Sequence, residues 1–420
     1  MTGVLKYVQP ERRDYMVNWK VNLTVLWLGQ FLVMAGMTMI MPFLPLYLEE
    51  LGMTDSHQVA TWAGIIFAGN FVTSFLFQPF WGGLADRYGR KIMLLRSGFG
   101  MAIVMVLMGF AASAWQLLVL RLLNGTISGY SPAAVALVST NTPKEKIGLA
   151  MGTLQSGAVA GSILGPFIGG LLAEAIGYRY IFYVTGALLF LATMLTMTMV
   201  KEKFNASEAA KQPKVSVIQG FSDIRHIKQL PVLYSVTFMI QFAIQCTMPL
   251  MALFVEELHG SGEMLAFYAG LVGSITGFSN MIASPFLGKL SDRIGSGKIL
   301  VFCLFGAALF FIPQAFVLNV WQLLIARFLL GIFLGGLLPT VNLLIRTYAP
   351  VGMESRVYSF NTSAMALGNM MGPVIGGALS GLLSIRSLFI LTAVLLGING
   401  FWARFSLNQP FKQQTRKSHG

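Results

Sequence analysis

The sequence predicts an all-α membrane protein with twelve transmembrane helices in two pseudo-symmetric six-helix bundles. Of its 420 residues, 55% are hydrophobic and only 11% are charged, against roughly 25% charged residues in a soluble globular domain. The apolar residues form runs such as 92–112, 181–200 and 299–318, which are long enough to cross a hydrocarbon layer ~30 Å thick. The second half of the chain also repeats motifs of the first half.

Each predicted helix is an apolar stretch between polar or glycine-containing connections. We expect helices at 19–48, 59–83, 91–112, 115–138, 147–175 and 178–200, and then at 232–256, 264–288, 298–318, 321–346, 353–383 and 385–407. The connection between the two sets is rich in Lys, Glu, Gln and Ser. The predicted organisation is an N-terminal tail at 1–18, a six-helix bundle at 19–200, a linker at 201–230, a second bundle at 231–407 and a C-terminal tail at 408–420.

The basic residues are distributed by membrane side. The net charge is +13, and 25 of the 29 Lys and Arg residues fall in or near the tails and the even-numbered connections. Arg179 and Arg386 lie on the opposite side, and Arg121 and Arg327 lie inside helices. This positive-inside pattern places both termini, and with them the linker, in the cytoplasm. The charge therefore reflects membrane topology, and we expect no nucleic-acid partner.

Four motifs recur at a nearly constant offset. Residues 78–82 (QPFWG) recur as 284–288 (SPFLG), and 115–118 (WQLL) recur as 321–324 (WQLL), both at an offset of 206. Residues 165–170 (GPFIGG) recur as 372–377 (GPVIGG) and 48–51 (LEEL) as 255–258 (VEEL), both at 207. Because six is an even number, both copies enter the membrane from the same side. Parallel repeats of this kind are typical of transporters whose site lies at the repeat interface.

Two motif pairs point to moving parts. Residues 82–91 (GGLADRYGRK) follow the second helix and are echoed by 288–298 (GKLSDRIGSGK), which has one extra residue and lacks the Arg-Lys pair. Gly157, Gly161, Gly165 and Gly169 recur every four residues along the fifth helix. A stripe of small residues lets another helix backbone approach closely in a membrane. The prolines Pro166 and Pro373 each remove a helix hydrogen bond and permit a bend.

These motifs resemble those of a known family. The G-x-L-A-D-R-x-G-R-K segment, Gly82 to Lys91, is similar to the signature loop of the major facilitator superfamily. The fifth-helix motif with Gly161, Gly165, Pro166 and Gly169 resembles that of its drug:proton antiporters. Gly36, Pro42 and Pro45 match a first-helix pattern of its twelve-helix drug exporters. The resemblance covers about residues 18–404 and is nearest to bacterial multidrug efflux proteins of the MdtG/PmrA type.

The resemblance implies functional roles for particular residues. It implies gating and proton coupling by six charged residues: Asp86, Arg87, Arg90, Arg121, Asp292 and Arg293. It implies conformational roles for Gly161, Gly165, Pro166, Gly169, Gly372 and Pro373. A charge within a membrane helix costs roughly 2.5–3.5 kcal/mol on the insertion scale, so Arg121 is expected to face a cavity or a partner. Snorkelling to the outer interface is the alternative.

The acid that carries the proton is left open by the sequence. All sixteen acids fall at predicted helix ends or in connections. Either Arg121 acts on a carboxylate at a cavity mouth, or Asp86 is protonated, or coupling is weak. We favour Asp86 with Arg121. Glu49, Glu50 and Glu256 lie at predicted outer helix ends and could supply the carboxylate at a cavity mouth. The alternative interpretation is that these acids are simply solvated.

Helix faces predict the substrate cavity. Gln30, Met34, Met37 and Met41 follow i, i+4, i+7, i+11 on the first helix, and Gln241, Gln245 and Met248 follow the same spacing on the seventh, 207 residues after Met34, Thr38 and Met41. Methionines adapt to varied apolar shapes, and glutamines add a few hydrogen bonds. Asn70 is a further candidate. The alternative interpretation of such a stripe is contact with lipid or with the helix core.

The resulting expectation is a proton-coupled exporter of several amphiphilic drugs or small molecules in a bacterial plasma membrane. A narrower exporter of sugars or a metabolite is the nearest alternative. We expect a monomer without cofactor or metal, driven by the proton gradient, and not an enzyme, because His, Cys and acids are not grouped at one depth. A channel is disfavoured because no filter or charged ring repeats. Gly295–Ile299 does not complete a phosphate-binding loop, which argues against direct coupling to ATP.

Overall fold

The computed structural model describes residues 12–202, 229–260, 262–349 and 354–407. We number its membrane spans in chain order, and we call the end of a span that the charge pattern places outside the cell its outer end. The first six spans are Arg12–Met39 with Leu44–Glu50 (span 1), Ser56–Tyr88 (span 2), Arg90–Gly109 (span 3), Ala114–Ile127 with Tyr130–Asn141 (span 4), Ile147–Ile176 (span 5) and Tyr178–Met199 (span 6).

The second six spans repeat this order. They are Gln229–Thr247 with Met251–His259 (span 7), Leu265–Ile294 (span 8), Ser296–Phe311 (span 9), Val320–Tyr348 (span 10), Glu354–Ser380 (span 11) and Ile385–Leu407 (span 12). Short 3₁₀ turns lie at Met41–Phe43, Lys144–Lys146, Met248–Leu250 and Pro313–Ala315. The all-α, twelve-span prediction is confirmed.

Ten of these spans are long and apolar enough to cross a membrane, judged over the described residues. Span 4 differs because it is divided into helices of 14 and 12 residues. Span 11 differs because polar and small residues, among them Asn361 and Asn369, lower its hydropathy. Both exceptions therefore reflect polar or irregular structure within the bilayer, which is found where a segment is enclosed by protein or lines a water-filled path.

Spans 1 and 7 are interrupted by proline at equivalent positions. In span 1 the α-helix ends at Met39 and resumes at Leu44, across a 3₁₀ turn that contains Pro42. In span 7 the corresponding turn contains Pro249, 207 residues later. Proline lacks the amide hydrogen that the helix ladder needs. The first and seventh predicted helices, drawn without a break, were wrong in this detail.

Span 4 is interrupted by glycine. Ser128 ends its outer helix, and Gly129 adopts φ 141° before the helix resumes at Tyr130. A side chain disfavours this φ, whereas glycine adopts it without steric cost. The single helix predicted at 115–138 was therefore wrong, since a lone glycine inside an apolar run is an ambiguous signal in the sequence.

The signature segments are mostly helical. Span 2 continues to Tyr88 and span 8 to Ile294, several residues past the predicted ends at 83 and 288. Each helix ends at a glycine with positive φ, 99° at Gly89 and 98° at Gly295, as is usual for a glycine that follows a helix. The next helix starts one residue later, so the two helices meet at a nearly rigid corner.

The repeated Trp-Gln-Leu-Leu motif forms the same cap in both halves. At span 4, Ser113 Oγ accepts the amide of Gln116 (3.4 Å), and Gln116 Oε1 accepts the amide of Ala112 (2.8 Å). At span 10, Asn319 Oδ1 accepts the amide of Gln322 (3.0 Å), and Gln322 Oε1 accepts the amide of Leu318 (2.8 Å). This reciprocal pairing closely resembles a capping box and satisfies amides that the helix start leaves open.

The chain divides into two compact units. Unit 1 comprises residues 1–214 and 251–274, and unit 2 comprises residues 215–250 and 275–420. The outer part of span 7 and the start of span 8 therefore belong with the first six spans. The predicted bundle boundaries at 19–200 and 231–407 stay predictions. In unit 1 span 1 packs along span 5, and in unit 2 the inner part of span 7 packs along span 11.

Candidate functional site

The glycine stripe of span 5 lies against the backbone of span 1. A Cβ atom added at Gly157 would lie 2.7 Å from the carbonyl oxygen of Trp27, and one at Gly169 would lie 2.6 Å from that of Met39. Between these positions, a Cβ at Gly161 would touch the carbonyl of Phe31, and one at Gly165 would touch Thr38. Only glycine allows this approach, because any side chain would separate the two helices.

The equivalent stripe of span 11 contacts span 7. A Cβ at Gly368 would lie 2.8 Å from Gln241 Cβ, and one at Gly372 would lie 2.8 Å from Gln245 Cβ. A Cβ at Gly376 would touch the backbone of Cys246. The two stripes therefore fix the helix pairs that carry most of the predicted cavity residues. Pro166 and Pro373 lie inside continuous helices, so neither proline interrupts its span.

The predicted cavity residues of span 1 fall into two groups. Met34, Met37 and Met41 are half-buried and leave part of each side chain available for contact. Gln30 and Thr38 are instead buried, with 4% and 9% exposure. Gln30 Nε2 donates to Ser131 Oγ (2.7 Å), and Thr38 Oγ1 donates to the carbonyl of Met34 (2.7 Å). Thr38 therefore contributes to helix packing, whereas the three methionines leave part of their apolar side chains exposed for contact with other molecules.

The predicted residues of span 7 are half-buried, and one of them has a partner that sequence reasoning missed. Gln241 Nε2 donates to Asn369 Oδ1 of span 11 (3.1 Å). Gln245 and Met248 continue the same stripe. Asn369 was not predicted, although an asparagine 207 residues after Ser162 in an apolar helix is a readable signal. Amides in a bilayer are costly unless they meet a partner or water.

A second polar cluster in unit 2 lies closer to the inner ends of its spans, opposite to the outer ends. Thr237 Oγ1 donates to Asn361 Oδ1 (2.6 Å), and Asn361 Nδ2 donates to Asn342 Oδ1 (3.4 Å). Tyr358 OH donates to the carbonyl of Asn342 (3.0 Å). These bonds join spans 7, 10 and 11, and none of the four residues was predicted. Buried Thr237 and Asn361 are satisfied by each other, so the cluster mainly fixes helix register.

Arg121 lies inside unit 1 with its guanidinium largely unsatisfied. It is 5% exposed, and seven residues at 1.5 Å per residue place it about 10 Å below the start of the outer helix of span 4. Its Nε and Nη2 atoms are buried without a hydrogen-bond acceptor. One turn further, Asn124 Nδ2 donates to Asn70 Oδ1 (2.7 Å). The predicted residue Asn70 is thus bound to span 4, close to Arg121 along the helix.

Arg327 holds the equivalent place in unit 2. It is also 5% exposed and lies in span 10, 206 residues after Arg121. A snorkelling guanidinium is exposed, whereas both arginines are buried. Their burial favours the interpretation that Arg121 faces a cavity or a partner.

The signature segments carry mostly exposed charges. The side chains of Asp86 and Asp292 lie outside the described residues, and so does any contact between Asp86 and Arg121. Arg87 and Arg293 are exposed. The side chain of Arg90 is part-buried, and its Nη1 lies 3.9 Å from Glu202 Oε1.

Glu202 is a residue of this site that sequence reasoning placed in the linker. Its Oε1 accepts the amide of Arg90 (3.0 Å), and its Oε2 accepts the amide of Lys91 (2.7 Å). The carboxylate thus caps the N-terminus of span 3, where the helix dipole favours a negative charge. The first linker residues are held further by Asn22, whose Nδ2 donates to the carbonyl of Lys201 (2.7 Å).

An aromatic–cation contact supports the break in span 4. The Arg96 guanidinium lies 3.5 Å from the centroid of the Trp81 ring. Trp81 Nε1 donates to the carbonyl of Thr126 (2.6 Å), and Arg96 Nη2 donates to that of Ser128 (3.4 Å). The two side chains thereby serve carbonyls that the interrupted helix leaves open. Spans 2 and 3 are tied in this way to the turn at Gly129.

Three acidic residues, Glu49, Glu174 and Glu256, line one cavity in unit 1. Its volume is about 350 Å³. Its lining consists of Leu46, Glu49, Ala173, Glu174, Tyr178, Glu256, Gly262, Leu265 and Ala266. Glu174 Oε1 accepts the amide of Met264 (2.7 Å), whose φ of 68° is positive. Below the cavity, a Cβ at Gly170 would lie 3.2 Å from the Cα of Gly270, so spans 5 and 8 are in backbone contact at their outer parts.

Within the described residues, no group of three or more His, Cys, Asp and Glu side chains is arranged to hold a metal ion. Cys246 and Cys303 are free thiols and are buried in spans 7 and 9.

Comparison with known sequences identifies the family. A sequence model of the Major Facilitator Superfamily matches residues 26–267 and 233–420. The chain belongs to the major facilitator superfamily. The resemblance read from the signature segments is thereby confirmed. As a major facilitator protein, the chain is a multi-pass membrane transporter and not an enzyme.

The sequence similarity to individual relatives extends over nearly the whole chain. The chain is 42% identical over 396 residues to the multidrug resistance protein MdtG of Enterobacter lignolyticus, covering 94% of both proteins. It is 42% identical over 402 residues to MdtG of Escherichia fergusonii, covering 96% of this chain and 98% of the relative. The predicted nearness to MdtG-type proteins is confirmed.

Solved structures show the same major facilitator fold. The nucleoside transporter NupG matches with a TM-score of 0.76 at 11% identity, covering 94% of this chain and 100% of that one. A bacterial homologue of the lysosomal transporter Spinster, solved in an inward-facing and unoccupied conformation, matches with a TM-score of 0.71 at 17% identity, covering 94% and 97%. At such identities the likeness concerns the fold alone.

Proposed function

We propose that this chain exports several amphiphilic drugs or related small molecules across a bacterial plasma membrane in exchange for protons. It works by alternating access as a monomer, with both termini in the cytoplasm and with the proton gradient in place of a cofactor. The observation that carries the proposal is the 42% identity to multidrug resistance proteins over 94% of the chain.

The available surface suits varied cargo. Half-buried Met34, Met37 and Met41 offer flexible, polarizable contacts in unit 1, and thioether side chains adapt to different apolar shapes. Half-buried Gln241 and Gln245 offer a few hydrogen bonds in unit 2. A ligand site that is mostly apolar, with few polar groups, supports broad recognition. These residues are therefore proposed as cargo contacts, with Gln30, Thr38, Asn70 and Met248 supporting them.

Arg121 is proposed as the residue that couples proton movement to transport. A buried guanidinium with two unsatisfied atoms is costly in a membrane, so a state of the cycle that brings an anion or water to it is favoured. Asp86 is proposed as the protonated partner. Arg87, Arg90, Asp292 and Arg293 are proposed to bias which side is open, because they lie at the helix corners that follow spans 2 and 8.

Helix contacts are proposed to set the direction of opening. The glycine stripes keep spans 1 and 5, and spans 7 and 11, in backbone contact. Each pair is therefore expected to move as one body when the transporter changes state, since separating the pair would lose the close van der Waals packing along the stripe. Gly161, Gly165, Pro166 and Gly169, with Gly372 and Pro373, form this element.

The test is proton-driven transport by the purified full-length protein in liposomes. An imposed pH gradient is combined with a panel of uncharged, cationic and anionic amphiphiles, and proton release is recorded for each compound. Several unrelated compounds that release protons support multidrug antiport, whereas a single sugar or metabolite that does so supports the narrower exporter. Current without saturation would refute a carrier mechanism.

Variants of Arg121 separate coupling from binding. Arg121→Ala is expected to abolish proton-driven uptake while facilitated exchange of cargo persists. Arg121→Lys, which keeps the charge but not the planar five-donor group, is expected to retain part of the coupling. Asp86→Asn is expected to match Arg121→Ala. Unchanged coupling in both Arg121→Ala and Asp86→Asn would remove these assignments.

A further inference from the structure

The amide pair between spans 7 and 11 leaves a complementary donor and acceptor free. Gln241 Nε2 donates to Asn369 Oδ1 (3.1 Å), and this bond leaves Gln241 Oε1 as an acceptor and Asn369 Nδ2 as a donor. Both residues are half-buried, so these atoms remain reachable. Exchanging the oxygen and nitrogen positions in both amides would again leave one donor and one acceptor side by side.

The pair lies on the side of span 11 opposite to its exposed apolar stripe. Leu367, Met371 and Val374 form this stripe at i, i+4, i+7. Asn369 is two residues from both Leu367 and Met371, and at 100° per residue this places it on nearly the opposite side of the helix. Its free donor is therefore separated from the apolar stripe and lies beside the glycine face that packs against span 7.

Helix packing holds the pair in place. A Cβ at Gly368 would lie 2.7 Å from the carbonyl oxygen of Phe238 and 2.8 Å from Gln241 Cβ. The residue next to Asn369 is thus in backbone contact with the helix that carries Gln241. Two side chains anchored at such close backbones lose little freedom when a ligand binds, which strengthens each hydrogen bond that forms.

The charge of unit 2 disfavours cationic cargo. Its acids in the sequence are Asp223, Asp292 and Glu354, which fall in the linker or near the ends of spans 8 and 11. An organic cation at the depth of Gln241 would therefore meet amides without a carboxylate from this unit. Desolvating a cation without a counter-charge is costly, whereas a neutral amide would exchange its water for the pair.

We propose that Gln241 and Asn369 form a subsite for an uncharged primary carboxamide or lactam group. In these groups an N–H and the C=O point the same way, so the carbonyl accepts from Asn369 while the N–H donates to Gln241. The transporter accordingly selects neutral amide-bearing amphiphiles over organic cations. This inference rests on the proposed export function and names its cargo class. Asn369 becomes a specificity-determining residue that acts together with Gln241.

Binding by the purified full-length protein in detergent tests the subsite without any proton gradient. The probes are carbamazepine, an uncharged primary carboxamide, and tetraphenylphosphonium, a cation without hydrogen-bonding groups. The repeat supplies substitutions that the fold already accepts. Gln241→Met introduces the residue found at position 34, and Asn369→Ser introduces the residue found at position 162. Ser162→Ala is the matched control, because Ser162 Oγ donates only to its own helix, at Val159.

Each of Gln241→Met and Asn369→Ser is expected to weaken carbamazepine binding about 3- to 10-fold. The double variant is expected to lose less than the product of the two, because the residues act as a pair. Ser162→Ala is expected to bind as the wild type does. Gln241→Glu is expected to raise the affinity for tetraphenylphosphonium, because it adds a carboxylate at the subsite. A gain in affinity for the cation also shows that this variant is folded.

The inference is overturned if the wild type does not bind carbamazepine, or binds tetraphenylphosphonium more tightly. It is also overturned if both single variants bind carbamazepine unchanged. Failure of the export function is a separate result, namely intact binding with no proton-driven movement in liposomes. The two proposals therefore fail in different assays.

Discussion

Gly169→Ala tests whether the glycine stripe is required for close packing of spans 1 and 5. The added methyl group would lie 2.6 Å from the carbonyl oxygen of Met39 and 2.9 Å from the ring of Phe43. Backbone cannot yield as a flexible side chain does, so span 1 must move. Forcing a methyl group into a packed contact costs about 1–3 kcal/mol.

The matched control is Gly152→Ala in the same helix. A Cβ at Gly152 would meet nothing within 4 Å. Both substitutions gain the same helix propensity, about 1 kcal/mol from glycine to alanine. The difference between the two variants therefore isolates the steric cost, and we expect Gly169→Ala to be about 1–3 kcal/mol less stable than Gly152→Ala.

This difference in stability is measured by unfolding the purified variants in detergent with heat or with denaturant. Gly376→Ala, the repeat mate in span 11, is expected to behave as Gly169→Ala does, because its methyl group would touch the backbone of Cys246. Export activity in the same variants reports the functional cost. Equal stability and equal export for Gly169→Ala and Gly152→Ala would refute the packing argument.

Three further predictions concern single hydrogen-bonding groups. Gln322→Ala removes the side-chain oxygen that accepts the amide of Leu318 (2.8 Å) at the start of span 10. It is expected to destabilise the protein by about 0.5–2 kcal/mol in an unfolding measurement. Gln322→Glu keeps the acceptor and is the control. Glu202→Ala is expected to lower the rate of proton-driven transport more than cargo binding, since it uncaps span 3 at the signature corner; an equal loss of both would contradict this. Glu174→Ala is expected to speed labelling of Ala266→Cys by an impermeant maleimide, because it removes the bond that joins span 5 to the start of span 8. Glu174→Gln keeps the acceptor and is expected to leave labelling slow. Equal rates in the two variants would show that this bond does not hold spans 5 and 8 together.

The sequence was sufficient to predict the architecture, because hydrophobic length and the repeat both act through many residues. The exceptions were local. Gly129 breaks span 4 through a backbone angle that one glycine in an apolar run does not reveal. The signature segments were read as connections from their glycines and charges, yet Leu84, Ala85 and Arg87 are good helix formers and span 2 continues to Tyr88.

The site was harder to predict, because partners across helices leave no periodic signal. Helix-face spacing selected Gln241, but its bond to Asn369 depends on the rotation of span 11, which packing decides. Thr38 shares the predicted face, yet its hydroxyl is taken up by the carbonyl of Met34. Glu202 was assigned to the linker by composition, whereas the structure makes it a cap of span 3.

The contacts of the glycine stripes bear on how the range of exported compounds evolves. At Gly161 and Gly368 the facing atoms include the Cβ of Met34 and the Cβ of Gln241, and every residue except glycine has a Cβ. Point mutations at positions 34 and 241 therefore alter what the side-chain tips present without loosening the helix pairs beneath them. Under changing antibiotic selection, mutations at these two positions can therefore alter substrate specificity with little effect on folding. Positions 34 and 241 are equivalent in the two halves, and they already differ, with methionine at one and glutamine at the other.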